Sequence, residues 1–137
     1  MLWRLSDAHD VLRDAMAALD RIASAPLDPV ALPSARWRLS AASCTRRAVW
    51  QDCYHYLLPQ VDHVTAVALT ELKGRDIAMA RTSAQHIARW PSHAVKRKWP
   101  AYCEASRAIC ARMSAAIDFE QRLVYPILKL QSLGRAR

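Results

Sequence analysis

Apolar residues recur at intervals of three and four along most of this chain. From Leu5 to Ser24, the positions Val11, Leu12, Ala15, Met16, Leu19 and Ile22 form one stripe. That spacing gathers side chains on one face of an α-helix. Ser6 or Asp7 is suited to cap its start, because a short side-chain oxygen accepts from the free N–H groups of a first turn. The segment APLDPVALP, residues 25–33, holds three prolines. Proline lacks the N–H and restricts the residue before it, so a loop is expected there.

A second helix is predicted from Ser34, a good cap, to Leu58, with Trp37, Leu39, Ala42, Val49, Cys53 and Leu57 apolar. After a short turn at 59–62, a third runs from His63 to Arg89 with Val64, Val67, Ala68, Leu72, Ile77, Met79 and Ile87. Trp90-Pro91-Ser92 breaks it. The fourth runs from Pro100 to Leu130, with proline at a favourable first position and a frayed tail from Ser132 to Arg137. Period-two alternation is absent, which argues against strands. Short connections imply antiparallel neighbours. The expected fold is all-α, an antiparallel up-down-up-down four-helix bundle, with residues 1–137 forming one domain.

Composition narrows the function. There are 2 glycines in 137 residues and a formal net charge of +8. The basic excess is concentrated between Lys73 and Arg112. Within it, Lys96, Arg97, Lys98 and Trp99 form a basic patch that could bind nucleic acid or an acidic partner, with tryptophan stacking. Trp90 and Trp99 could equally plug the end of the bundle. No run of eighteen apolar residues exists, so no membrane association is expected. The N-terminus lacks the apolar core of a signal peptide. Cys44, Cys53, Cys103 and Cys110 form no CxxC. They are expected to be reduced, buried thiols in a cytoplasmic protein. No nucleophile–base pair, glycine-rich phosphate loop or pair of catalytic carboxylates is present, so the chain is not expected to be an enzyme.

The stretch AIDFEQRLVYPIL at 116–128 has a weak echo, VWQDCYHYLLPQV, at 49–61. Aligning Pro59 with Pro126 sets an offset of 67 residues. Leu5 then falls on Leu72, Leu12 on Met79 and Cys53 on Glu120. The first helix pair looks like a copy of the second.

With SDAHDVLRDAMAAL in the first helix and IDFEQRLVYPIL in the last, the chain resembles the hemerythrin-like, or HHE cation-binding, family. The resemblance implies a metal-binding histidine at His9, ahead of Leu12-Arg13. It also implies, in the second and fourth helices, a His, a Glu four residues on and a proline six after that. Residues four apart share a helical face, so such pairs hold a di-iron centre in the bundle core. Here Glu120 is kept, but Ala116 stands at the His position. Val49 and Cys53 replace the second pair. Asp76 is the counterpart of His9, or Arg75 if the register slips by one.

The surviving ligand candidates are His9, Glu120 and Asp76, with Cys53 a weaker fourth. They are too few for a di-iron centre, so no cofactor is expected. The alternative is a rebuilt mononuclear site for iron or another divalent metal. A buried Glu120 needs a partner in any case, and a core network of Glu120 with Arg46 or His9 could replace the metal. The stretch Leu72-Lys73-Gly74 is also similar to the motif of histidine phosphotransfer domains. Thr70 stands at the phosphorylatable position, and threonine cannot form a phosphoimidazole. The expected role is a regulatory or protein-interaction module with an unidentified protein partner.

Overall fold

The computed structural model describes residues 1–135, all in helices or the turns between them. Four helices are long: α1 (Leu2–Ala23), α2 (Ala31–Leu57), α3 (His63–Arg89) and α5 (Trp99–Arg135). A short helix α4 (Ser92–Arg97) precedes α5, and a 3₁₀ turn, Leu58–Gln60, follows α2. Helix α1 packs on α2 and α5, and α3 packs on the same two.

The helix ends follow local chemistry. Helix α3 spans the predicted residues, and Asp62 Oδ1 accepts from the Thr65 N–H at 2.7 Å. Helix α1 begins earlier than expected, at Leu2, so Ser6 and Asp7 lie inside it and do not cap it. Helix α2 begins at Ala31 rather than Ser34, because Asp28 Oδ1 accepts from the Val30 and Ala31 N–H groups at 3.0 Å. Pro33 is then in the first turn, where a missing N–H costs nothing. The basic residues Lys96 and Arg97 form the last turn of α4. Pro126 does not end α5, which continues to Arg135. Ser132 to Arg135 are therefore helical rather than frayed, and Ala136 and Arg137 lie outside the described residues.

The core divides in two. One cluster holds Leu12, Leu19, Leu39, Tyr102, Met113 and Ile117 among others. The second gathers Leu5, Trp50, Leu57, Leu69, Leu72 and Val124. On every long helix, one buried charged or ionisable residue marks the boundary between them: His9, Arg46, Asp76 and Glu120. The chain order of the clusters alternates from helix to helix. Helix α1 meets the Trp50 cluster first, α2 meets it last, α3 first and α5 last.

Helix α3 contributes few residues to this core. Leu69, Leu72 and Asp76 are its buried residues. Val64, Val67, Ile77 and Ile87, expected on its apolar face, are exposed, as are Val11 on α1 and Trp37 on α2. A helix seated in a narrow seam covers fewer positions than a full apolar stripe provides. Of the cysteines, Cys53 and Cys103 are buried and Cys110 is half-buried, but Cys44 is exposed. No strand occurs among the described residues, and no helix is long and apolar enough to cross a membrane.

Candidate functional site: a charged layer at the bundle centre

Each long helix delivers one side chain to the layer between the two apolar clusters. Glu120 lies between Ile117 and Val124 on the buried face of α5. His9 lies between Leu5 and Leu12 on α1, Arg46 between Ala42 and Val49 on α2, and Asp76 one turn beyond Leu72 on α3. The three-and-four spacing that builds the apolar stripes therefore turns these four groups inward as well. All four are buried, and His9 is fully so.

A buried charge is tolerated only when it is paired and hydrogen-bonded. Arg46 meets that demand on two sides. One terminal nitrogen donates to Oε1 of Glu120 and the other to Oδ1 of Asp76. The second Glu120 oxygen, Oε2, lies 2.5 Å from Nε2 of His9. Tyr125 Oη lies 2.5 Å from Nδ1 of the same ring, and the two rings stack with centroids 5.5 Å apart.

Because the carboxylate can only accept, Nε2 carries the proton. The Tyr125 hydroxyl fits either state of the ring. It donates to Nδ1 of a neutral imidazole and accepts from an imidazolium. Burial raises the Tyr125 pKa, so the hydroxyl keeps its proton. One guanidinium thus bridges two carboxylates from different helices.

The structure thus brings together His9, Arg46, Asp76 and Glu120. Asp76, rather than Arg75, is the buried residue of α3 at this level; Arg75 is exposed, over the Phe119 ring at 4.9 Å. Cys53 is buried apart from the layer, with Sγ 3.8 Å from the Met1 sulfur. Burial pushes its pKa up to about 11, so its thiol stays protonated and is a poor metal ligand. Val49 and Ala116 offer no ligand atoms.

The residues present do not fit a metal centre. The guanidinium of Arg46 bonds both carboxylates that would face an ion. Among the described residues, no three His, Cys, Asp or Glu side chains are arranged to hold one. A permanently charged group stands where a cation would be needed.

The basic patch is elsewhere. Lys96, Arg97 and Lys98 are exposed around the end of α4. Trp99 is stacked on Tyr102, with centroids 5.7 Å apart, and its indole N–H donates to the Ala25 carbonyl at 3.3 Å. Trp90 is buried, edge-on to the same ring. Both indoles pack on the Tyr102 ring at this end of the bundle.

Sequence reasoning missed Tyr125 as a partner of His9. Its signal was the Tyr-Pro step itself, which places a phenol five residues beyond Glu120. It also missed Tyr102, the ring on which Trp90, Trp99 and His86 converge. No family model matches the sequence, and neither a curated protein nor a solved structure matches it.

Proposed function

We propose that the chain is a hemerythrin-like up-down-up-down bundle that has exchanged a metal centre for a network of side chains. In this reading it is a regulatory or protein-interaction module and not an enzyme. The observation that carries the reading is the Arg46 guanidinium joined to both Glu120 and Asp76. The alternating order of the two clusters along the four helices supports the up-down path. The offset of 67 supports the internal two-fold. It pairs His9 with Asp76, Trp50 with Ile117, Cys53 with Glu120 and Leu57 with Val124, and all eight are buried.

The interaction half rests on what the bundle leaves in solvent. Trp37 is 75% exposed and Ile87 53%. Both border a groove of about 610 Å³ whose wall includes Leu32 and Trp90. Arg36 and Lys96 also line it, and no acidic residue does. That chemistry suits an amphipathic protein segment with acidic flanks. The exposed cations near α4 would add attraction at a distance.

The deciding experiment is metal analysis of protein purified without chelator. The proposal predicts substoichiometric metal. Stoichiometric iron, zinc or manganese that disappears in Glu120→Ala would instead establish a rebuilt mononuclear site around His9 and Glu120. For the groove, a protein retained from host extract should be lost with Trp37→Ser and Ile87→Ser. Retention equal to wild type by both variants would reject that surface.

A further inference from the structure

Among the described residues, no element covers the outer face of α3. Of the 27 residues in this helix, Leu69, Leu72 and Asp76 are buried. On the side away from them, Val67, Thr70, Gly74, Ile77, Arg81 and Ala84 are all exposed. These positions recur at alternating steps of three and four, the spacing that lines one stripe of a helix against a partner helix. Val67 and Ile77 are large apolar groups left in water, and burying such groups drives association. No residue of this stripe lines the groove bordered by Trp37 and Ile87.

The charges on α3 divide in the same way. Asp76 bonds Arg46 in the core. Lys73, Arg75 and Arg89 lie over the rings of Tyr54, Phe119 and Trp90, at 4.6, 4.9 and 5.7 Å from the centroids. Glu71 and Arg81 are exposed and, among the described residues, have no partner in the chain. They are opposite in sign and about 15 Å apart along the helix axis, so they cannot bond each other within one copy. Gly74 lies between them, exposed and with negative φ. A Cβ there would meet no atom of its own chain within 4 Å. Glycine weakens a helix interior, and nothing inside this fold requires it. Its missing side chain admits a second backbone at close range.

We infer that α3 pairs with α3 of a second copy of this chain, antiparallel, about a two-fold axis that passes between Gly74 and Ile77. The stripe is its own complement in that register. Val67 faces Ala84 of the second copy, Thr70 faces Arg81 and Gly74 faces Ile77, and symmetry repeats each contact. Glu71, one residue from Thr70, brings its carboxylate to the opposing Arg81, so both unpartnered charges are paired at once. A parallel pairing would set Arg81 against Arg81 and Glu71 against Glu71, which like-charge repulsion disfavours. The helix is about 40 Å long at 1.5 Å per residue. Pairing along one stripe covers an area at the lower end of specific interfaces, so the dimer is reversible. It leaves both grooves at Trp37 open, and it stands whether or not the charged layer replaces a metal centre.

The test is sedimentation velocity of the full chain from about 1 μM to about 1 mM, a range that brackets weak interfaces. Wild type should pass reversibly from monomer to a species of twice the mass and go no further, because a two-fold interface closes. Glu71→Arg and Arg81→Glu should each weaken the dimer by about tenfold or more, since each sets like charges together on both sides of the axis. The double variant should recover to within about threefold of wild type, which a merely structural role for either residue would not produce. Ile77→Arg, at the centre of the stripe, should stay monomeric throughout. All three positions are exposed, and far-UV circular dichroism confirms that each variant is folded. A wild type that is monomeric at every concentration would overturn the proposal. So would growth beyond a dimer, a dimer unaffected by either charge reversal or by Ile77→Arg, or a double variant as weak as the singles.

Discussion

Arg46 and Glu120, 74 positions apart in sequence, are hydrogen-bonded in the buried middle of the protein. The pair ties α2 to α5 between two apolar clusters, and the other terminal nitrogen of Arg46 extends it to Asp76 on α3. Removing one partner strands the others. Glu120→Ala should cost about 3–5 kcal/mol, the range for a broken buried ion pair, read as a lower urea midpoint. Arg46→Met, Asp76→Leu, Glu120→Leu and His9→Leu made together should cost far less, because no charge is then left unpaired. A quadruple variant less stable than Glu120→Ala would contradict this.

Alkaline pH should destabilise the fold from about pH 9 upward. Burial raises the pKa of Cys53, from its ordinary 9.0 to about 11, and also those of Cys103, Cys110, Tyr102 and Tyr125. Each group holds its proton more tightly when folded. The unfolded chain therefore ionises first, and the stability present below pH 9 is lost as pH rises through the folded values. Melting temperatures recorded between pH 7 and 11 check the trend, and Cys53→Ala should make the decline shallower.

The thiols should react in the order of their exposure. Cys44 is exposed, whereas Cys53 and Cys103 are buried with raised pKa values. At neutral pH a thiol-specific reagent should modify Cys44 in the native protein, and Cys53 and Cys103 only after denaturation. Peptide mapping after timed labelling reads the order directly.

Gly74 sits inside α3 with negative φ, and a Cβ built on it meets no atom within 4 Å. Gly74→Ala should therefore stabilise the protein by about 1 kcal/mol, the helix-interior difference between the two residues. Equilibrium unfolding in urea measures it.

Much of this was legible in the residues. The boundaries of α3 follow from the turn at 59–62 and the Trp90-Pro91 break, and the Asp62 cap is what the structure adds. The offset set by Pro59 and Pro126 puts Asp76, or Arg75 with one residue of slippage, in register with His9, because a repeat preserves which positions face inward; Asp76 is the buried one. Other features were not legible. Exposure of Val64, Ile77 and Ile87 depends on how narrow the seam under α3 is, and periodicity cannot measure that. The last helix was expected to stop at Leu130 but continues to Arg135, since a proline near the end of a long, packed helix removes one hydrogen bond without stopping it.

The central claim is that Arg46 and Glu120 act as one unit in the place of a metal. A double-mutant cycle in urea, with Arg46→Met, Glu120→Leu and both together, tests it most directly. A coupling energy of about 1–3 kcal/mol is predicted, as for residues sharing one buried ion network. Additive single effects, with wild type gaining stability from added ferrous or zinc ions and Glu120→Leu gaining none, would contradict it.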